Sequence, residues 1–105
     1  MNSQISMIQQ LCQDKKILWS FHATIRMQDR LINRSDVINC ILSGKIIENY
    51  PNDYPFPSCL IFGYAINNKI LHVVVGNNNN TEIYIITAYY PDNIKFHDDL
   101  KTRRL

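Results

Sequence analysis

The sequence predicts an α+β fold in which two to three N-terminal helices pack on one face of a four-stranded antiparallel sheet. Apolar residues recur with a helical period before Gly44 and with the period of a strand after it. Turn-forming residues divide this second half into segments of strand length. Because 105 residues suffice for one domain but not for two, we expect a single domain over residues 1–105.

Up to three helices are predicted in the first half of the chain. The first spans Ser3 to Gln13, where apolar residues follow helical spacing and Ser3 can serve as the N-cap. The second begins after the N-cap Ser20 and extends to about Leu31. The third begins at the capping residue Ser35 and ends at Gly44, since glycine commonly follows the last turn of a helix.

Four strands are predicted after the helices. They span Lys45 to Tyr50, Ser58 to Ile66, Lys69 to Val75 and Thr81 to Tyr90. A loop with three prolines, a turn of two asparagines and an asparagine-rich loop connect them in that order. Short connections of this kind predict an antiparallel meander. The tail from Asn93 to Leu105 is polar and is expected to hold a short helical turn.

The charge balance restricts how this protein could bind a nucleic acid. The formal net charge is only +2, whereas a strongly basic nucleic-acid-binding domain carries more. Any such contact must therefore come from a local patch. Arg26, Arg30 and Arg34 lie in one short stretch, and the segment from Lys101 to Arg104 holds further cations. We expect this last segment to be a solvated tail that could add phosphate contacts.

The cysteines indicate a reducing compartment. Cys12, Cys40 and Cys59 are widely spaced, lie in apolar contexts and form no CxxC pair, so we expect three reduced, buried thiols and neither structural zinc nor another cofactor. Reduced, unpaired cysteines predict a cytoplasmic protein. The first residues lack the pattern of a signal peptide, and no apolar run could span a bilayer, so we expect no membrane partner.

The second predicted helix carries a cationic row. His22, Arg26 and Arg30 are spaced four residues apart and therefore share one helix face. Histidine transfers protons near neutral pH, and the arginine fork binds phosphate. Alternatively, His22 bonds only a backbone carbonyl, and the arginines form a structural network with nearby carboxylates.

The last two predicted strands add a second group of polar residues. If their loop closes symmetrically, His72 lies opposite Ile85 and on the same face as Thr87 and Tyr89. A slip of one residue would separate them. A histidine in an apolar strand is, alternatively, a structural residue whose ring nitrogens are bonded within the core.

These two groups together indicate cleavage of RNA without a metal. That reaction needs a base for the 2′-hydroxyl, an acid for the leaving 5′-oxygen and cations for the phosphate. In this hypothesis the histidines transfer the protons, the arginines hold the phosphate, and the threonine and tyrosine support them. The candidate catalytic residues are His22, Arg26, Arg30, His72, Thr87 and Tyr89. Glu48 is a further candidate base, and Tyr90 a further group for stacking a base.

Six segments of the sequence resemble the bacterial and archaeal family DUF4258. They read Trp19-Ser20-x-His22-Ala23-x-x-Arg26-Met27-x-x-Arg30-x-Ile32, Asp36-Val37, Gly44-x-Ile46-Ile47-Glu48-x-Tyr50-Pro51, Pro57-Ser58-Cys59-Leu60-Ile61-x-Gly63-Tyr64, Leu71-His72-Val73-Val74 and Ile86-Thr87-Ala88-Tyr89-x-Pro91. The resemblance covers roughly Ile17 to Arg104. One departure is Leu31, where a glycine is common in the family. The matching polar positions are the six candidate residues and Glu48.

The resemblance implies a fold and a biological role. Such domains are similar to toxins found beside small antitoxins, and to the RelE, BrnT and barnase-EndoU-like ribonucleases with helices on an antiparallel sheet. We therefore expect a metal-independent endoribonuclease, the toxin of a type II toxin–antitoxin pair, with RNA and a cognate antitoxin as partners. The alternative is a non-catalytic module that binds protein or nucleic acid through the same cationic groove. Metal-dependent cleavage is weaker, because no Asp/Glu pair has convincing ligand spacing.

Overall fold

The computed structural model describes residues 4–104 and has an α+β architecture. Its elements are α1 (Gln4–Gln13), β1 (Ile17–Trp19), α2 (Phe21–Asp29), α3 (Arg34–Ser43), β2 (Lys45–Tyr50), β3 (Ser58–Tyr64), β4 (Ile70–Asn78) and β5 (Glu82–Tyr89). The predicted class and the three helices are confirmed. No helix in the described part of the chain is long and apolar enough to cross a membrane.

The sheet has five strands, in the order β1-β5-β4-β3-β2. Strands β2 to β5 form the predicted antiparallel meander. The prediction of four antiparallel strands was wrong because β1 pairs parallel with β5, where Ile17 lies opposite Ile83. A strand of three residues is too short to display a period of two, and its partner lies at the far end of the sequence.

Local capping chemistry determines where α2 and α3 begin. Ser20 is the N-cap of α2, as predicted, because its hydroxyl accepts a hydrogen bond from the backbone N–H of Ala23 at 3.0 Å. The N-cap of α3 is Asn33 rather than the predicted Ser35. The Asp36 carboxylate accepts from the Asn33 N–H at 2.9 Å, as in a capping box. The predicted cap Ser3 lies outside the described residues.

The helices end near the predicted positions. Helix α2 ends at Asp29, two residues before Leu31, whose φ of 57° is incompatible with continuing the helix. Gly44 follows α3 as predicted. A Cβ atom at Gly44 would lie 2.5 Å from the carbonyl oxygen of Cys40 and 2.7 Å from that of Phe62. Glycine is therefore required sterically where α3 turns into β2.

The register of β4 and β5 differs from the prediction. His72 pairs with Tyr89 and not with Ile85. The turn is shorter than expected because Asn79 and Asn80 adopt positive φ, which asparagine tolerates, and β4 extends to Asn78. A bulge in β5 at Ile86, opposite Val74 and Val75, then separates the two parts of the ladder.

Beyond the bulge, the side chains of β5 lie on the sheet face opposite to the one predicted. Ile83 and Ile85 belong to the hydrophobic core that the helices cover. Thr87 and Tyr89, predicted on their face, instead pair with the residues of β4 that lie outside that core. Polar side chains of β5 are thereby placed on the sheet face opposite the helices.

The chain after β5 covers part of this second face. Residues 92–104, which we call the C-terminal segment, form turns and an isolated bridge between Phe96 and Arg103 rather than the expected helical turn. Phe96 is 1% exposed. Its ring packs edge-on against His72 with 4.8 Å between centroids. The tail is thus docked on the sheet through Phe96, while Thr102, Arg103 and Arg104 remain exposed, as expected for the segment from Lys101 to Arg104.

Candidate functional site

A cationic cavity of about 520 Å³ opens where α2, the end of β5 and the C-terminal segment meet. It is lined by Arg26, Arg30, Thr87, Tyr89, Tyr90, Pro91, Asp92, Lys95, Phe96 and Arg103. Four of these residues are among the six candidate catalytic residues, and Tyr90 is the further candidate for stacking a base. Because the lining holds four cationic side chains and one carboxylate, it favours an anionic ligand.

Arg30 is fixed to the neighbouring strand. Its Nη1 donates to the Ala88 carbonyl oxygen at 2.8 Å and to the Thr87 hydroxyl at 3.3 Å. These bonds leave other N–H groups of the guanidinium for a ligand, since the group carries five. The expected alternative, an ion pair with a carboxylate, is not found for Arg30 within residues 4–104.

Arg26 lies one helical turn before Arg30 and is exposed. In the described part of the chain its guanidinium has neither an ion-pair partner nor a side-chain hydrogen bond. The spacing of four residues places it beside Arg30, as the sequence predicts. Arg26 is therefore the more accessible of the two phosphate-binding candidates.

His22 does not line the cavity. It is exposed on α2, one turn further toward the N-terminus than Arg26, which corresponds to about 6 Å along the helix axis. The structure keeps the predicted alignment of His22 with the arginines, but His22 is not among the residues that line the cavity with Thr87 and Tyr89.

His72 is fully buried, and both of its ring nitrogens are engaged. Nε2 lies 2.7 Å from the Leu100 carbonyl oxygen, and Nδ1 lies 3.3 Å from the Tyr89 hydroxyl. A carbonyl oxygen can only accept, so we assign the proton to Nε2, and Nδ1 accepts from Tyr89. Burial lowers the pKa of His72 and outweighs the opposing effect of the bond to Leu100. The imidazole is therefore neutral at pH 7.

Tyr89 connects this buried histidine to the cavity. Its side chain lines the cavity, and its hydroxyl contacts the unprotonated nitrogen of His72. Burial raises the pKa of Tyr89, although the charges of Arg103 and Arg30 act in the opposite direction. The pair places a hydroxyl beside a ring nitrogen that can accept its proton, and the Leu100 carbonyl orients the imidazole.

A second network fixes Arg103 at the cavity. Its Nε and Nη2 donate to the two carboxylate oxygens of Glu48 at 3.2 and 3.1 Å, and its guanidinium lies 4.8 Å from the Phe96 ring centroid. The Tyr50 hydroxyl also donates to Glu48. Such bidentate pairing orients the guanidinium.

This network also determines the protonation of Glu48. Burial of the carboxyl acts to raise its pKa, but the hydrogen bonds from Arg103 and Tyr50 outweigh this effect and hold the pKa below its ordinary value. The pKa of Tyr50 rises to about 12 through burial and its bond to Glu48. Glu48 therefore positions Arg103, and its oxygens are engaged rather than available as a base.

The sequence did not indicate Lys95 as a cavity residue, and it indicated Arg103 only as part of the segment from Lys101 to Arg104, which could add phosphate contacts. Within residues 4–104, no cluster of three or more His, Cys, Asp or Glu side chains is arranged to hold a metal ion. All three cysteines are free and buried, and burial raises the pKa of Cys40 to about 12 and of Cys59 to about 11.

The fold and the cavity together define a small α+β protein that presents a cationic, tyrosine-containing site at the end of its sheet. The family of DUF4258, described as a domain of unknown function, matches residues 19–90. The chain belongs to this family. No curated protein and no solved structure matches it. The matched region contains Arg26, Arg30, His72 and Tyr89, whereas the C-terminal segment lies beyond it.

Proposed function

We propose that the protein is a metal-independent endoribonuclease whose active site is the cationic cavity. The observation that carries the proposal is the Tyr89 hydroxyl, which lies among four cationic side chains and is bonded to the unprotonated nitrogen of His72. Cations bind and stabilise a phosphate, and a hydroxyl with an adjacent base transfers a proton. One cavity thus combines the two requirements of metal-free phosphodiester cleavage.

In this proposal the arginines hold the scissile phosphate. Arg26 and Arg30 contact it from α2, and Arg103 contacts it from the C-terminal segment. Guanidinium groups suit this role because their forked N–H groups match two phosphate oxygens. Glu48 and the Thr87 hydroxyl act indirectly, by orienting Arg103 and Arg30.

The proposed chemical step uses Tyr89 as the group that contacts the 2′-hydroxyl. Tyr89 takes the proton of that hydroxyl while its own proton passes to Nδ1 of His72. The 2′-oxygen then bonds to phosphorus, and the bond from phosphorus to the 5′-oxygen breaks. Lys95 gives the departing oxygen its proton, because arginine does not release one in proteins. The products are a 2′,3′-cyclic phosphate and a 5′-hydroxyl.

This scheme assigns the two predicted histidines different places. His72 accepts a proton through Tyr89 and does not contact the RNA, because it is fully buried. His22 contacts the RNA beside the cavity, one helical turn from Arg26, and takes no part in the chemical step.

The proposed biological role is that of a toxin in a type II toxin–antitoxin pair, with RNA as substrate and a small antitoxin as protein partner. The resemblance of the sequence to RelE- and BrnT-like toxins supports this role. A cytoplasmic location is proposed because three free, buried cysteines are typical of a reducing compartment.

RNA cleavage in excess EDTA tests the proposal. The substrates should include several free RNAs and ribosome-bound message. We expect the wild type to cleave and Arg26→Ala to lose about 10- to 100-fold in kcat/KM, which corresponds to one charge-assisted contact. Arg34→Ala is the matched control, since Arg34 lies over the Trp19 ring outside the cavity. No cleavage of any substrate by the wild type would refute the proposal.

A second candidate function is an RNA-binding module that does not cleave. It is favoured by the absence of an accessible histidine among the lining residues of the cavity in the described chain. Tyr89→Phe separates the two functions. In an endoribonuclease, kcat falls by about 10²- to 10⁴-fold, the usual contribution of a proton-transfer group, while RNA affinity persists. RNA binding that depends on Arg26, without cleavage by the wild type, would establish the binding module.

A further inference from the structure

A second pocket lies beside the cationic cavity on the same sheet face. Its volume is about 220 Å³, and we call it the aromatic pocket. It is lined by Asp53, Tyr54, Pro55, Phe56, Gly76, Tyr84 and Ile86. The Phe56 and Tyr84 rings form an edge-to-face pair with centroids 6.3 Å apart. Tyr54 is 91% exposed, so its ring is available to a ligand.

The absence of a side chain at Gly76 leaves this pocket open. Gly76 pairs with Tyr84 across β4 and β5. A Cβ atom at Gly76 would lie 3.6 Å from Tyr84 Cβ and from Ile86 Cδ1, and 3.8 Å from Phe56 Cβ. These are ordinary contact distances, so a methyl group there would reduce the space without displacing the walls.

The loop that carries the aromatic side chains is braced. Its prolines restrict the backbone between β2 and β3. The Asp53 carboxylate accepts from the Ser58 hydroxyl at 2.6 Å and from the Tyr54 N–H at 3.0 Å. A braced loop loses little conformational entropy when a ligand binds, so the exposed Tyr54 ring is already placed for contact.

The aromatic pocket and the cationic cavity adjoin at two consecutive residues. Ile86 lines the pocket, and Thr87 lines the cavity. The bulge in β5 places both side chains on the sheet face away from the core. Consecutive residues of a strand are about 3.3 Å apart along its axis. The two sites therefore meet at neighbouring residues of β5.

We infer that the aromatic pocket binds a nucleobase of the RNA strand whose phosphate lies in the cationic cavity, an inference that rests on the proposed function. A base has a flat apolar face of the kind that stacks on aromatic side chains, and its phosphate provides the negative charge that the neighbouring cavity attracts. The pocket thus adds affinity that depends on the bases and not on the backbone.

Equilibrium binding of two matched oligonucleotides tests this inference. The first is a single-stranded 2′-O-methyl oligonucleotide, which cannot be cleaved, of about 4 nucleotides. The second is an abasic strand of the same length and charge. Base stacking contributes about 1–3 kcal/mol per base, so the wild type should prefer the first strand by about 5- to 150-fold. Tyr54→Ala should remove most of this preference and leave the affinity for the abasic strand unchanged.

One further variant and one control keep the test decisive if Tyr54→Ala folds poorly. Gly76→Ala partly fills the pocket and should reduce the same preference without removing any aromatic ring. Tyr64→Ala is the matched control, because Tyr64 is an exposed aromatic residue on the sheet that lines neither site. It should keep the wild-type preference.

The outcomes separate this inference from the proposed function. Equal binding of both strands by the wild type would overturn the inference, as would an unchanged preference in both Tyr54→Ala and Gly76→Ala. Arg26-dependent binding of the abasic strand would in that case still support the proposed function. Binding of neither strand would overturn the inference, and RNA cleavage in excess EDTA would then decide on the proposed function.

Discussion

At the scale of single residues, the arrangement around His72 depends on hydrogen bonds that come from two distant parts of the chain. Leu100 holds one ring nitrogen and Tyr89 the other. Leaving either nitrogen unpaired in a buried site would be costly. The sequence indicated a histidine in an apolar strand, but neither partner could be read from local spacing, because both bonds depend on long-range register.

The buried, neutral state of His72 predicts a pH-dependent stability. Burial lowers the pKa of His72 in the folded protein below the ordinary value of 6.5. As the pH falls through that value, His72 therefore binds a proton more readily in the unfolded chain than in the folded protein. The free energy of unfolding should therefore decrease as the pH falls below about 6.5. Glu48 and Arg103 face the ring and act in opposite directions. Urea denaturation at a series of pH values measures the effect.

His72→Gln should flatten this pH dependence, whereas His22→Gln should leave it intact, because His22 is exposed. A wild-type stability that does not change between pH 7.5 and 5.5 would contradict the neutral, buried assignment of His72.

At the scale of elements, the N-cap of α2 also ties the helix to the sheet. Ser20 accepts from the Ala23 N–H and donates to the Ile85 carbonyl oxygen, both at 3.0 Å. We expect Ser20→Ala to lower the free energy of unfolding by about 1–2 kcal/mol. Ser35→Ala is the control, since Ser35 is exposed and is not the cap of α3, and should change it by less than about 0.5 kcal/mol. Equal losses in chemical denaturation would refute this role of Ser20.

Two apolar residues of the C-terminal segment should differ in how much they stabilise the fold. Phe96 is 1% exposed and packs on His72, whereas Ile94 is 78% exposed. Phe96→Ala should cost about 3–5 kcal/mol, and Ile94→Ala should be nearly neutral. Thermal or urea denaturation compares them. A mild effect of Phe96→Ala would indicate that the segment does not remain docked on the sheet.

At the scale of the whole molecule, local patterns predicted most of the elements but not how distant segments meet. The helical periods, the Ser20 cap and the meander were predicted because their signals are short-range. β1 was missed because its partner is β5, and the bulge in β5 has no signature in the sequence.

In the candidate site too, local patterns predicted some residues, and long-range contacts determine the others. Arg26, Arg30, Thr87 and Tyr89 were predicted and line one cavity. Arg103 was predicted only as part of a cationic tail that could add phosphate contacts, because its place in the cavity depends on Glu48, which is 55 residues away. The cavity concentrates cations despite a net charge of only +2, and only the tertiary fold could reveal this concentration.

The edges of the sheet have a consequence for how the protein behaves at high concentration. One edge strand, β1, has only three residues, and the other, β2, is interrupted by an irregularity between Ile46 and Glu48. A short or bulged edge is a poor template for strand addition by another chain. Both edges of the sheet thus resist the addition of strands from other chains, which would lead to aggregation. The sheet face that carries the two pockets remains accessible to ligands.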